Sequence, residues 1–220
     1  MINHSLGAEP GMIIIKKTSA SGTDWAVWHK GSWNGSTGLF YTGLSLNATT
    51  AKQVQGSYSP HSSTNFNVDE VFDQYTTTYG NNTNGATYVA YLFAHNAGGF
   101  GLTGTDNVIS CGSYTGTGSS VSITLGYEPQ WVMIKRTDST GSWVMLDNMR
   151  GTPYSQAPSD LYANTSGAEQ QNFGSTSTGF ITNPTGFGWN DGSLQINANG
   201  GTYIYIAIRR CLLYTSDAAD

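Results

Sequence analysis

Three acids stand close together in "NVDEVFDQY": Asp69, Glu70 and Asp73. Two carboxyl groups at short range are what glycoside cleavage uses, one as acid and one as base or nucleophile. The corresponding stretch of a second copy of the unit, "ITNPTGFGW", carries no carboxylate, so a solvated turn is the expectation. His4, His29, His61 and His95 are scattered at no metal-ligand spacing, and His29 aligns with Asp147, so the copies share no histidine chemistry. Two cysteines, Cys111 and Cys211, are too few for a disulfide framework or a metal cluster, which leaves Cys111 as a free thiol. Serine is abundant, yet no G-x-S-x-G nucleophile motif occurs. "NDG" at Asn190 and "TDS" at Thr137 offer oxygens to Ca²⁺, but a full site wants six or more ligands, so local turn capping is the expectation. The prediction is a non-enzymatic protein with no cofactor and no metal.

Aromatic side chains divide more usefully. Trp25 and Trp143 are equivalent between the copies, as are Tyr88 and Tyr203, which points to packing. Trp33 in "KGSWNGST" and Trp189 in "FGWNDGS" have no aromatic counterpart and sit among Gly and Asn, the composition of loops. An indole flanked by amide, carboxylate and hydroxyl groups suits a sugar ring, so Trp33, Asn34, Trp189, Asn190 and Asp191 are the candidate ligand-binding residues. The paired cations Lys16–Lys17 and Lys135–Arg136 are expected to mark where buried strands emerge into water, with an anionic ligand as the alternative.

Strands must position these residues. Gly, Ser, Thr and Asn make up 96 of the 220 residues, and only 10% are charged. Ala, Leu, Glu, Lys and Arg are scarce, which excludes long amphipathic helices. A net charge of −5 with no basic run argues against a nucleic-acid binder, and no apolar stretch is long enough to insert into a membrane. The opening "MINHSLGAEP" lacks the basic and apolar regions of a signal peptide. Thirteen Tyr, eight Phe and six Trp, in apolar runs of strand length, argue against disorder. The runs are four to eight residues long and bounded by Gly, Asn, Ser or Pro. Met12–Lys16 and Trp131–Lys135 are apolar on both faces, as central strands of a sandwich are. "TSASGTD" and "TDSTG" join them to Asp24–His29 and Ser142–Asp147 as hairpins, and Tyr88–Ala94 and Thr202–Arg209 close each copy. Only Ala48–Gln55 and Val68–Tyr75 suggest a helical turn or two. The fold class is all-β: two tandem β-sandwich, jelly-roll-like repeats of about seven strands each, with almost no helix.

The repeat is visible directly. "LGAEPGMIIIKKTSASGTDWAVWHKG" returns as "LGYEPQWVMIKRTDSTGSWVMLDNMRG", "LNATTAK" resembles "ANTSGAE", and "NGATYVAYLFA" resembles "NGGTYIYIAI", in the same order. The domains expected are residues 1–107 and 108–210; whether they share one core stays open. The second copy begins with "CGSYTGTGSS", for which the first has no counterpart, so the chain is expected to be truncated at its N-terminus. "CLLYTSDAAD", residues 211–220, breaks the pattern, and its reverse-translated codons are similar to a library-preparation adapter, so it is expected to be foreign read-through.

Taken together, "NHSLG.EP..IIIKK......W.V.H", "GATYVAYLFA", "CGSYTGTGS", "EPQWVMIKRTD..GSW...DNMRG" and "GGTYIYIAIRR" resemble a repeat of unknown function in bacteriophage tail-fibre and related tail proteins, over residues 3 to 210. The resemblance implies a virion surface module, extracellular after release, that contributes to adsorption by binding bacterial surface glycan or protein. It also implies other tail proteins as partners and a homotrimer in the full fibre. It assigns no catalytic or binding residues. The rival readings are a spacer that binds nothing and a capsule depolymerase fragment.

Overall fold

The computed structural model describes residues 1–32, 41–55, 61–68, 82–150, 159–170, 179–190, 192 and 195–210. Among them are fifteen strands, two short 3-10 turns, Lys30–Ser32 and Asn148–Arg150, and no α-helix. The first half holds β1 (Ile2–Asn3), β2 (Pro10–Lys17), β3 (Ala26–His29), β4 (Tyr41–Ser45), β5 (Gln53–Gln55), β6 (Asn65–Phe66) and β7 (Tyr88–Ala94). The second holds β8 (Ile109–Thr115), β9 (Val121–Thr124), β10 (Pro129–Arg136), β11 (Trp143–Asp147), β12 (Leu161–Tyr162), β13 (Phe180–Asn183), β14 (Gly186–Trp189) and β15 (Thr202–Arg209). The helical turn expected at Ala48–Gln55 is absent: its last three residues pair with β4 as β5, because a sheet edge is there to satisfy their backbone. Of the other expected turn, residues 69–75 lie outside the described residues.

Each half builds one five-stranded antiparallel sheet, in the orders β5-β4-β3-β2-β7 and β12-β11-β10-β15-β8. Two smaller sheets, β1-β6 and β13-β14-β9, accompany them. Successive residues of a strand point to opposite faces, so a run apolar at every position needs cover on both. In β2, Ile13 and Ile15 pack outward with Ala26, Trp28 and Phe66 of β6. Val132 and Ile134 of β10 do the same with Phe180, Phe187 and Trp189. The other faces meet: Met12, Ile14, Val27 and Leu44 of the first sheet pack against Cys111, Met133, Trp143, Ile204 and Ile206 of the second. The two halves therefore share a central core, with a small sheet on each outer side.

Individual contacts recur between the halves. The Thr18 and Thr137 amides donate to the carbonyls of Thr87 and Thr202, both at 2.8 Å. The Trp25 and Trp143 amides donate to Asn47 Oδ1 and Asn164 Oδ1, both at 2.8 Å. A register shift follows Pro10 in β2 and Pro129 in β10. Asp147 and His29, though chemically unlike, each hold the 3-10 turn that follows them. The Asp147 carboxylate accepts the amides of Met149 and Arg150, and His29 Nδ1 accepts that of Gly31.

Candidate functional site

The seam between the halves is polar where the core ends. The turn Lys30–Ser32 leaves β3 and rests on β8, with Gly31 so close to Gly112 and Ser113 that a Cβ there would press on them at 3.0 Å. His29 anchors it: its Nε2–H donates to the Tyr205 carbonyl at 3.0 Å while Nδ1 accepts the Gly31 amide at 3.0 Å. That bonding pattern fits only the neutral ring. Complete burial, opposed only in part by the Tyr205 bond, pushes its pKa down to about 4. The unfolded chain binds a proton near pH 6.5 that the folded chain refuses until about pH 4, so stability falls as pH drops through that window. A loss of about 2–3 kcal/mol is expected there, reduced in His29→Gln, as urea titrations of both proteins at several pH values will show.

Beside this turn opens a cavity of about 290 Å³ lined by Gly31, Ser32, Lys52, Ser113, Tyr114, Thr115, Thr137, Thr202 and Tyr203. Tyr114 and Tyr203 stack at 4.9 Å with their planes 7° apart. Their hydroxyls are committed, Tyr114 donating to the Ile196 carbonyl at 2.6 Å and Tyr203 accepting the Ala198 amide at 2.8 Å. Burial raises the pKa of both phenols, so neither supplies an anion at neutral pH. Thr137 and Thr202 share a hydroxyl hydrogen bond at 2.8 Å. The side chains of Lys52, Ser113 and Thr115, by contrast, make no hydrogen bond to protein among the described residues. Nearby charge is balanced: Arg136 grips Asp138 through two 3.0 Å bonds, which hold the Asp138 carboxyl below its ordinary pKa. The cavity thus offers hydroxyl groups, phenol rings and one ammonium. Two smaller cavities are an apolar gap of about 140 Å³ lined by Met12, Phe93, Trp131 and Ile208 among others, and one by Arg209 and Arg210, which pair with Asp106 and Glu128.

Of the sequence-derived ligand-binding residues only Trp189 and Asn190 are described, and neither lines the seam cavity. Trp33, Asn34 and Asp191 lie outside the described residues, as do Asp69, Glu70 and Asp73. Asn190 is exposed. Trp189 corrects the loop reading: it ends β14, is 1% exposed, and packs on Phe180, Phe187 and Tyr114, so protein already covers its ring. The glycines taken as loop signals serve close approach, since Gly186 and Gly188 leave no room for a Cβ beside the carbonyls of Ile123 and Val121. Lys135 corrects the emerging-cation reading. It is fully buried, its ammonium donating to the carbonyls of Thr49 and Gly141, whereas Lys16 reaches Thr23 from a half-buried position. The other histidines also serve the backbone: His4 meets the Ser62 carbonyl and the Leu6 amide, His61 the Asn67 amide, and His95 the Cys111 amide. Among the described residues no three His, Cys, Asp or Glu gather as a metal site. Cys111 is a buried free thiol whose pKa burial pushes up to about 12.

These features define the class: an all-β, sandwich-like protein of two halves around one core, with a hydroxyl-lined cavity at their seam. The chain belongs to the family described as a domain of unknown function, DUF7483, whose match covers residues 1–210 and so takes in both halves. No curated protein and no solved structure matches it.

Proposed function

We propose that this chain is a non-enzymatic surface module of the bacteriophage tail-fibre kind, which holds a saccharide of the host surface in the seam cavity. The observation that carries the reading is the lining: Lys52, Ser113 and Thr115 have hydrogen-bonding capacity that the described residues leave unused. Sugars are recognised by such groups, placed beside aromatic carbon, with little net charge. Lys52 adds a preference for a sugar with a carboxylate. A site this small and open binds weakly, and repetition along a fibre would raise weak contacts to useful avidity. In the virion its partners would be other tail proteins, in a homotrimeric fibre.

A glycan array probed with the chain in multivalent form tests this directly. Binding to at least one bacterial surface polysaccharide is expected, reduced tenfold or more by Lys52→Ala combined with Ser113→Ala, with the melting temperature unchanged. Absence of binding across host-derived glycans would leave the spacer reading in its place, and release of reducing ends from a capsule would favour the depolymerase.

A further inference from the structure

β7 and β15 are twin strands in unequal surroundings. Both pair with their central strand in the same register, Lys17 opposite Tyr88 and Arg136 opposite Tyr203, Pro10 opposite Ala94 and Pro129 opposite Arg209. Both begin from the same threonine contact, the Thr18 and Thr137 hydroxyls meeting those of Thr87 and Thr202 at 2.8 Å. On its other side β15 carries β8, antiparallel from Thr202 opposite Thr115 to Ile208 opposite Ile109. Among the described residues β7 is the last strand of its sheet, and none of them pairs with the outer edge of Val89–Ala94. Burial follows pairing: Tyr203 to Ala207 are all buried, while no residue of β7 is, and Tyr91 stands 48% exposed.

Open edges are ordinarily guarded by charge, proline or a covering segment. β8, the far edge of the second sheet, is guarded: the Asn96 amide donates to the Ile109 carbonyl at 2.9 Å, His95 Nδ1 takes the Cys111 amide at 3.0 Å, and the Lys30–Ser32 turn rests on it. "YVAYLFA" of β7 has neither charge nor proline. Its side chains still alternate as those of β15 do, Val89, Tyr91 and Phe93 on one face, Tyr88, Ala90 and Leu92 on the other.

We propose that the outer edge of β7 is a strand-accepting surface, and that its occupant is a strand of the Ile109–Thr115 type from another unit of this family, added antiparallel. Backbone hydrogen bonds supply the attachment, and the occupant's small and hydroxyl-bearing residues allow close approach over Tyr91 and Ala90. Joined this way, successive units form one continuous sheet across their junction.

The test uses the full chain and a synthetic peptide of residues 108–117 with Cys111→Ala. Hydrogen exchange of the Val89–Ala94 amides is the readout, expected to slow at least tenfold on saturation, with a scrambled peptide inert. In a second arm residues 108–119 are fused ahead of Met1, which reproduces the spacing of the second half. Protection of the same amides and a higher melting temperature are expected. The proposal is overturned if neither arm protects Val89–Ala94, if the scrambled peptide works equally well, or if the free chain already protects that edge by self-association.

Discussion

Replacing Trp143 by alanine lowers the free energy of unfolding by about 3–5 kcal/mol, the range for emptying a large aromatic site in a core that cannot collapse. The side chain is 1% exposed and lies in the core shared by the halves, beside Met133, Ile204 and Ile206 on its own side and Leu44 and Val27 across the seam. Its indole N–H also donates to the Ser45 carbonyl at 2.8 Å, a bond between residues 98 apart that fastens β11 to the end of β4. Phenylalanine refills part of the volume but not the bond, so Trp143→Phe should cost about 1–3 kcal/mol. Trp25 is the internal control. It stands just ahead of β3, where Trp143 opens β11, and has the same Asn cap, but it lies half-buried against Tyr91, with ring centres 6.4 Å apart. Trp25→Ala should therefore cost only about 1–2 kcal/mol, because part of its area never left water. Urea unfolding followed by circular dichroism measures all three; equal costs for Trp25→Ala and Trp143→Ala would show that the halves do not share the core described.

The same pair of tryptophans marks how far the sequence could be read. That both stand where a strand begins was legible, since each follows a turn and opens an apolar run. That one is interior and the other half-exposed was not, because the difference comes from the opposing sheet, more than 90 residues away. β7 and β15 were legible to the residue, as apolar runs between turn residues have no helical alternative at that length. Trp189 misled because Gly and Asn mark both loops and strands under a close neighbour, and only the small sheet β13-β14-β9 shows which. The seam cavity had no signal at all. Ser113 and Thr115 alternate with Gly112 and Tyr114 as many hydroxyl residues here do, and in a chain so rich in Ser and Thr two such hydroxyls have no contrast. The unequal surroundings of β7 and β15 among the described residues, by contrast, parallel a visible asymmetry, since β8, the partner of β15, lies largely in the block "CGSYTGTGSS" of the second half.

Lys135→Ala should destabilise the protein by about 3 kcal/mol at pH 7, from the emptied volume and the loss of bonds to two backbone carbonyls. The ammonium ties two turns together, donating to Gly141 of its own hairpin at 2.8 Å and to Thr49 of the first half at 3.1 Å, where the Gly141 amide also meets the Thr49 carbonyl at 2.9 Å. Neither partner carries a full negative charge. Burial therefore pushes the amine's pKa down to about 8, with Asp138 opposing it in part. Between about pH 8 and 10.5 the unfolded chain keeps a proton that the folded chain has shed, so raising pH through this window favours the folded state. The gain from pH 8 to pH 10 should be on the order of 2 kcal/mol, the part of the ~3 kcal/mol of the whole shift that falls inside that interval. Tyrosines act in the opposite sense at higher pH, Tyr205 above all, because burial pushes its phenol up to about 12. The informative quantity is accordingly the difference between wild type and Lys135→Met, which retains the volume and cannot titrate. That difference should shift in favour of the wild type from pH 8 to pH 10 in parallel urea titrations; parallel curves would mean that the amine is solvated and that the two turns are held together by their backbone bonds alone.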